Sequence, residues 1–108
     1  MISVAIVTLN EGNKLKKCLS SVEGFADEII VIDLGSTDET KEICKEFDVK
    51  FFNHNFEPLV ERVRNFSISK TEGDWVLILD PDEQIPSDLK QKLKSVIFED
   101  KFVAVNIP

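Results

Sequence analysis

Short apolar runs alternate along this 108-residue chain with segments whose apolar residues recur at helical spacing. The runs are rich in valine, isoleucine and leucine, a pattern typical of strands that are buried on both faces of a parallel sheet. No hairpin signal separates them, so crossover helices should join parallel strands. The expected strands are 3–9, 28–33, 49–52, 75–79 and 101–107, and the expected helices are 13–22, 36–47, 57–70 and 86–97. We predict one α/β domain, residues 1–108, with a doubly wound, mostly parallel sheet.

Two of the expected helices begin with recognisable signals. Ser36 or Thr37 can cap the second helix, whose apolar stripe is Ile43, Cys44 and Phe47. A proline suits the first turn of a helix, so Pro58 marks the start of the third. The sequence therefore predicts where these two crossover helices begin.

Polar residues follow three of the predicted strands at the point where each strand ends. They are Thr8, Asn10 and Glu11 after the first, Asp33, Gly35, Ser36 and Asp38 after the second, and Asp80, Asp82 and Glu83 after the fourth. Ligands of doubly wound sheets bind at the carboxyl ends of the strands, where the strand order reverses. We therefore expect these residues to form a binding site.

The segment VLILDPDE ends an apolar run in three carboxylates within four residues. Neighbouring carboxylates repel one another, so this cluster is either a solvated turn or a site for a cation. The chain has neither GxGxxG nor a Walker A loop, the usual phosphate-binding motifs. Asp80 and Asp82 could instead hold a diphosphate through Mg²⁺ or Mn²⁺, because these hard cations bind carboxylate and phosphate oxygens together. In that case the motif provides some of the metal ligands, and the substrate provides the others.

The net charge and the cysteines limit which binding partners and which cellular compartment we expect. A formal net charge of −7 without basic runs argues against nucleic acid as a partner. Cys18 and Cys44 form no CxxC pair and are interpreted as two reduced core thiols of a cytosolic protein. No apolar stretch approaches the roughly 18 residues of a membrane span, and no signal peptide is recognisable. We expect a cytoplasmic protein, either free or peripheral at the inner face of the membrane.

Arginine and histidine side chains are scarce in this sequence. Arg62 and Arg64, the only arginines, belong either to a solvated helix face or to a fork that donates to phosphate or carboxylate. His54 is the only histidine, and we interpret it as a surface or structural residue.

Three blocks, SVAIVTLNEG, EIIVIDLGSTDET and RNFSISKTEGDWVLILDPDE, together resemble the family 2 glycosyltransferases with a GT-A fold. The likeness is closest to bacterial members that build lipopolysaccharide core and related surface glycans. It implies a Rossmann-like half of a GT-A fold, a nucleotide-diphospho-sugar donor and a divalent metal. By the family pattern, the nucleotide-sugar would contact Thr8, Asn10, Glu11, Asp33, Arg64, Asn65 and Asp80, and the metal would bind Asp82 and Asp80.

The chain departs from the family in two ways. Leu34 stands where many members have a second aspartate, so recognition of the donor base must differ or rest on Asp33, and the nucleotide stays open. The family's acceptor half, with its general base, would lie beyond Pro108. Glu83 is the nearest carboxylate, but it follows the metal motif and is in the wrong place for a base. We therefore expect the donor-binding portion of a transferase, inactive alone, whose acceptor is a glycan or a lipid-linked sugar.

Two other functions stay open for this chain, and the sequence also predicts self-association. The chain could be a non-catalytic module that binds a nucleotide or nucleotide-sugar. A nucleotidyltransferase ranks last, because the segment TLNEGNK is a poor match to a glycine-rich loop bearing a lysine. The C-terminal segment 101–107 would leave an unpaired strand edge, which favours a homodimer.

Overall fold

The computed structural model describes residues 1–56, 60–73, 75–98 and 104–106, with side chains undescribed at 60–61, 94–98 and 104–106. Strands and helices alternate along these residues. The elements are β1 Ile2–Thr8, α1 Gly12–Val22, β2 Glu28–Asp33, α2 Thr40–Lys45, β3 Lys50–Asn53, α3 Val60–Ser69, β4 Trp75–Leu79, α4 Ser87–Phe98 and β5 Ala104–Asn106. The alternation predicted from the apolar runs is confirmed.

The five strands form one parallel sheet in the order β3-β2-β1-β4-β5. The chain builds outward from β1 to β3 on one side and then returns to add β4 and β5 on the other. The strand order therefore reverses between β1 and β4, which confirms the doubly wound architecture. The register pairs Thr8 with Asp33 and Ile6 with Leu79, so β2, β1 and β4 end close together at one edge of the sheet.

Each face of the sheet has its own apolar cluster. One cluster joins Val4, Ile6 and Val31 to α1 and α2, and Leu89 and Leu93 of α4 pack against it. The other joins Ile30 and Ile32 to Val63 of α3, with Val7, Leu34, Phe52 and Phe66 at its margin. Helices on both faces bury the strands on both sides, which explains why their sequences do not alternate. The predicted inward positions Val96 and Ile97 have side chains outside the described residues.

The prediction that Ser36 or Thr37 caps the second helix is wrong. Helix α2 begins at Thr40, and its N-cap residue Glu39 makes no capping hydrogen bond through its side chain. Ser36 instead bonds to Asp33, and the Asp38 carboxylate accepts the Thr40 N–H at 3.0 Å. Short polar side chains that bond to nearby backbone offer it an alternative to the helix, so the helix starts later. The stripe of Ile43, Cys44 and Phe47 nevertheless packs against the core as predicted.

Several smaller expectations can be compared with the structure. The expected helix start at Pro58 lies outside the described residues. The predicted fifth strand is present as Ala104–Asn106, which pairs with β4, and the homodimer stays a prediction.

Cys18 and Cys44 are buried and unpaired, and burial raises the pKa of Cys18 to about 12 and that of Cys44 to about 11. No described helix is long and apolar enough to cross a membrane.

Candidate functional site

Three adjacent strands bring their polar ends to one edge of the sheet. Thr8 ends β1, Asp33 ends β2, and Asp80 follows β4, with β1 between the other two. The Leu34 N–H donates to the Thr8 carbonyl at 3.0 Å, and the His54 N–H donates to the Asp33 carbonyl at 2.9 Å. These bonds extend the sheet ladder past the ends of the strands. The structure therefore places the acidic strand ends side by side, as the sequence predicted.

Asp33 and Thr8 are both buried at the base of this edge. One Asp33 oxygen accepts the Ser36 N–H at 3.1 Å, and the other accepts a hydrogen bond from the Ser36 hydroxyl. The Thr8 hydroxyl oxygen is also buried, but it has no hydrogen-bond partner among the described residues. Because a buried hydroxyl without a partner costs free energy, Thr8 is suited to bonding with a water or a bound ligand.

Asn10 and Glu11 lie in the loop between β1 and α1. The Asn10 amide oxygen accepts the Thr37 N–H at 2.7 Å, so this side chain joins the β1–α1 loop to the β2–α2 loop. Glu11 is the N-cap residue of α1, where its carbonyl accepts the Leu15 N–H at 2.8 Å. Its partly exposed carboxylate makes no capping bond and is available to solvent or a ligand.

The acidic motif after β4 is folded into a tight turn. The Glu83 N–H donates to the Asp80 carbonyl at 3.0 Å, and the Glu83 carboxylate accepts the Asp80 N–H at 2.8 Å. The Cys18 thiol approaches the same Asp80 carbonyl at 3.7 Å, and Pro81 is buried. The Asp80 and Asp82 side chains remain exposed. One Glu83 oxygen therefore helps to hold the turn, whereas the other, Oε2, is buried without a hydrogen-bond partner among the described residues.

The donor atoms around Asp80 and Asp82 are compatible with an incomplete metal site. No three His, Cys, Asp or Glu side chains converge as a metal-binding group within the described ranges. Neither carboxylate has a hydrogen bond or ion pair to another described residue. Two exposed hard oxygen ligands suit a Mg²⁺ or Mn²⁺ ion that takes its remaining ligands from water and a phosphate. The residues present thus fit the metal predicted from the sequence, provided that a ligand completes its coordination.

A pocket of about 150 Å³ opens beside Asp80 on the α3 face of the sheet. Arg64 lines it together with Asp80, and the other lining residues are Val7, Leu34, Val63, Ile78 and Leu79. The structure therefore brings Arg64 to the acidic edge, whereas Asn65 is exposed and is not among the lining residues. His54 packs its ring against Phe66 with centroids 4.6 Å apart, as expected of a structural residue.

The sequence did not predict the hydrogen bonds that hold this site in shape. Ser36, Asp38 and Glu83 were predicted to lie at the strand ends, and Ser36 was also considered as a helix cap, but their bonding partners were not predicted. In the structure Ser36 bonds to Asp33 at the end of β2, Asp38 accepts the N–H of Gly12 at the start of α1, and Glu83 accepts the N–H of Asp80 after β4. The only signal available was the density of short polar residues after each strand, which indicates loop bonding but not the partners.

The comparisons with known proteins agree with this geometry. The model of the family described as glycosyl transferase family 2 matches residues 3–108. The chain belongs to this family. It is 31% identical over 106 residues to a TPR repeat-containing protein of Synechococcus elongatus, covering 98% of this chain and 26% of that protein. It is also 31% identical over 109 residues to an uncharacterised glycosyltransferase of Rickettsia typhi, covering 98% of this chain and 37% of the relative.

A solved structure supports the fold of the family 2 chain. Glucosyl-3-phosphoglycerate synthase from Mycobacterium tuberculosis, solved with Mn²⁺, UDP and glucosyl-3-phosphoglycerate, aligns with a TM-score of 0.67 at 24% identity. The alignment covers 78% of this chain and 35% of the synthase. The chain therefore spans well under half the length of these relatives, and the Rossmann-like α/β fold is the feature it shares with the synthase.

The turn after β4 gives a first test of the site's architecture. Glu83→Ala removes the acceptor of the Asp80 N–H, and we expect unfolding free energy to fall by about 1 kcal/mol. Glu83→Gln keeps an oxygen at the same place and should lose less than half of that. Urea unfolding of the three proteins measures both values. Equal losses in the two variants would show that the carboxylate charge, rather than its bond to Asp80, stabilises the turn.

Proposed function

We propose that this chain forms the donor-binding portion of a glycosyltransferase that uses a nucleotide-diphospho-sugar. The observation that carries the proposal is the convergence of Thr8, Asp33 and the Asp80–Glu83 turn at the switch point of a family 2 sheet. Ligands of such sheets bind at this edge. Relatives named as glycosyltransferases favour transfer over the alternative of a non-catalytic nucleotide-binding module.

The diphosphate would be held between a cation and Arg64. Asp80 and Asp82 would bind Mn²⁺ or Mg²⁺, which neutralises phosphate charge and stabilises a departing diphosphate. Arg64 lines the same pocket as Asp80 and is suited to donate to phosphate oxygens. The Mn²⁺ and UDP bound by the mycobacterial synthase support this choice of ligands.

The base of the nucleotide would lie toward the ends of β1 and β2. Thr8 offers its buried, unpartnered hydroxyl there, and Glu11 offers a partly exposed carboxylate. Leu34 packs toward the apolar cluster of α3 and cannot accept a hydrogen bond. We therefore infer that base recognition rests on few polar contacts, and UDP and GDP are both candidates.

The remaining parts of the reaction concern the whole transferase. We propose a glycan or lipid-linked acceptor in cell-surface polysaccharide synthesis, in the cytoplasm or at the inner membrane face. General-base catalysis typically contributes roughly 100- to 10,000-fold to such rates. Glu83 follows the metal motif and helps to hold the Asp80 turn, so we do not assign it the role of this base. Residues 1–108 alone should therefore bind the donor without transferring sugar at a useful rate.

Calorimetric titration of residues 1–108 with UDP and with GDP tests this proposal. We expect binding in Mn²⁺ and a large loss of affinity when EDTA replaces the metal, because an acidic edge repels a bare diphosphate. Uridine, which lacks the phosphates, is the matched control and should show no dependence on the metal. Equal affinity for UDP with and without metal would contradict the metal bridge, and no binding of either nucleotide would contradict the donor site.

A further inference from the structure

The two loops at the site are joined by hydrogen bonds that run in both directions. The Asn10 N–H donates to the Ser36 hydroxyl oxygen at 2.8 Å. In return, the Asn10 amide oxygen accepts the N–H groups of Thr37 at 2.7 Å and of Asp38 at 3.3 Å. The Asp38 carboxylate then accepts the Gly12 N–H at 3.1 Å. We call Asn10, Ser36 and Asp38 the loop clasp.

The backbone of Asn10 has an unusual conformation, with a φ of +51°. Asparagine is among the few non-glycine residues that tolerate this left-handed region. With this backbone, the side chain of Asn10 meets the β2–α2 loop, where its oxygen accepts the N–H groups of Thr37 and Asp38. The amide oxygen is thereby used within the protein and is not available to a bound nucleotide.

The loop clasp is connected to the candidate site at two points, through a hydrogen bond of Ser36 and through the position of Asn10 in the chain. Ser36 also bonds to both oxygens of Asp33, so the bond from Asn10 reaches the buried carboxylate at the end of β2. Asn10 itself lies two residues after Thr8, which carries the unpartnered buried hydroxyl. Sheet pairing already fixes the backbones of Thr8 and Asp33 relative to each other. The clasp therefore acts on the Asp33 carboxylate, whose two oxygens bond to Ser36.

We propose that the loop clasp makes the β1–α1 and β2–α2 loops one cooperative unit that holds the Asp33 carboxylate in position for the donor nucleotide. Asn10 and Ser36 are then positioning residues, and Asn10 does not bind the nucleotide through its amide oxygen. The positioning role rests on the proposed donor site, whereas the cooperativity of the loops can be tested without any ligand.

Amide hydrogen exchange measured by NMR tests the cooperativity. Ser36→Ala removes a bond to Asn10 but leaves the acceptors of Thr37, Asp38 and Gly12 in place. We expect exchange of these three amides to accelerate by about tenfold or more, because a cooperative unit opens together. Asn10→Gly, which keeps the positive φ, should also accelerate exchange at Gly12, although the acceptor of that amide is Asp38.

Two results of this experiment would overturn the clasp or its positioning role. If Ser36→Ala leaves the exchange of all three amides unchanged, the loops do not form one unit. If exchange accelerates but the affinity for UDP with Mn²⁺ stays within twofold of wild type, the clasp does not position the site. Ser69→Ala is the matched control, since its hydroxyl bonds only within α3 to the Phe66 carbonyl, and neither readout should change.

The cause of a loss of affinity can also be separated from general unfolding. Ser36→Thr retains the hydroxyl and should restore both slow exchange and UDP affinity toward wild type. In a double-mutant cycle, Asn10→Gly and Ser36→Ala should reduce UDP affinity less than additively, because both break one clasp. Additive effects would assign the two residues to independent roles and would reject the proposal. If wild type itself fails to bind UDP, the positioning role fails with the donor site, while the exchange results still decide whether the clasp is cooperative.

Discussion

Replacing Asp82 by asparagine is expected to lower the affinity for UDP in Mn²⁺ by at least 10- to 100-fold while leaving the fold intact. The Asp82 side chain is exposed and bonds to no other described residue, so its charge is not needed for the turn. Loss of residues that merely orient metal ligands typically costs 10–100-fold, and loss of a direct oxygen ligand should cost at least as much. Without metal, the melting temperature should rise slightly, because repulsion from Asp80 is removed.

Thermal melts with and without Mn²⁺ and UDP measure this effect. Asp48→Asn is the matched control, because Asp48 is an exposed carboxylate just before β3, at the opposite edge of the sheet. Asp80→Asn should give a weaker version of the Asp82 result. If Asp82→Asn gains as much thermal stability from metal and UDP as wild type does, Asp82 is not a ligand. Strong destabilisation without ligand would instead identify it as a structural residue of the turn.

The second large effect is expected at the other edge of the sheet, where Glu28 is buried at the start of β2. Its carboxylate accepts hydrogen bonds from the Ser3 hydroxyl at 2.6 Å, the Lys50 ammonium at 2.7 Å and the Glu72 N–H at 2.8 Å. Glu28→Ala leaves these donors without their acceptor, so unfolding free energy should fall by about 2–3 kcal/mol. For a domain of this size, the melting temperature should fall by roughly 10 °C. Nucleotide affinity at a temperature where the variant is folded should not change.

Glu72→Gln provides the matched control for this second prediction. The Glu72 side chain is 73% exposed and lies 3.7 Å from the same Lys50 ammonium. An exposed ion pair contributes little, so we expect a loss below about 0.5 kcal/mol. A loss as large as that of Glu28→Ala would show that the charge of Lys50, rather than the buried acceptor, determines stability.

The pH dependence of unfolding gives an independent check on Glu28. Burial raises the pKa of this carboxyl, but the hydrogen bonds from the Glu72 N–H, Lys50 and Ser3 outweigh it and lower the pKa below its ordinary value. Stabilisation by the ionised carboxylate is therefore complete above the unfolded pKa of about 4.3 and is lost as the pH falls through the lower folded pKa. The stability difference between wild type and Glu28→Gln should shrink over that acidic range. A difference that is constant with pH would contradict the role of the ionised group.

Much of the fold, and which polar residues meet at the candidate site, could be predicted from the sequence. Apolar runs of valine, isoleucine and leucine identified the strands of a parallel sheet, because burial on both faces requires such residues throughout a strand. Polar residues after β1, β2 and β4 then indicated the ligand edge, since those ends meet in a doubly wound sheet. The start of α2 was predicted wrongly because Ser36 had suitable chemistry for a helix cap but bonds to Asp33 and Asn10 instead.

The sequence alone determined the parallel α/β architecture and the acidic chemistry at its carboxyl edge, because hydropathy and residue type are properties of each short segment. Only the tertiary structure decided that Asn10 bonds to the β2–α2 loop, that Glu83 holds the Asp80 turn and that Arg64 shares a pocket with Asp80. The bonds of Asn10 join residues 26–28 positions apart, and Arg64 reaches Asp80 from a helix on one face of the sheet. These contacts depend on the pairing of β1 with β2 and β4, because strand pairing brings the loops within hydrogen-bonding distance of one another.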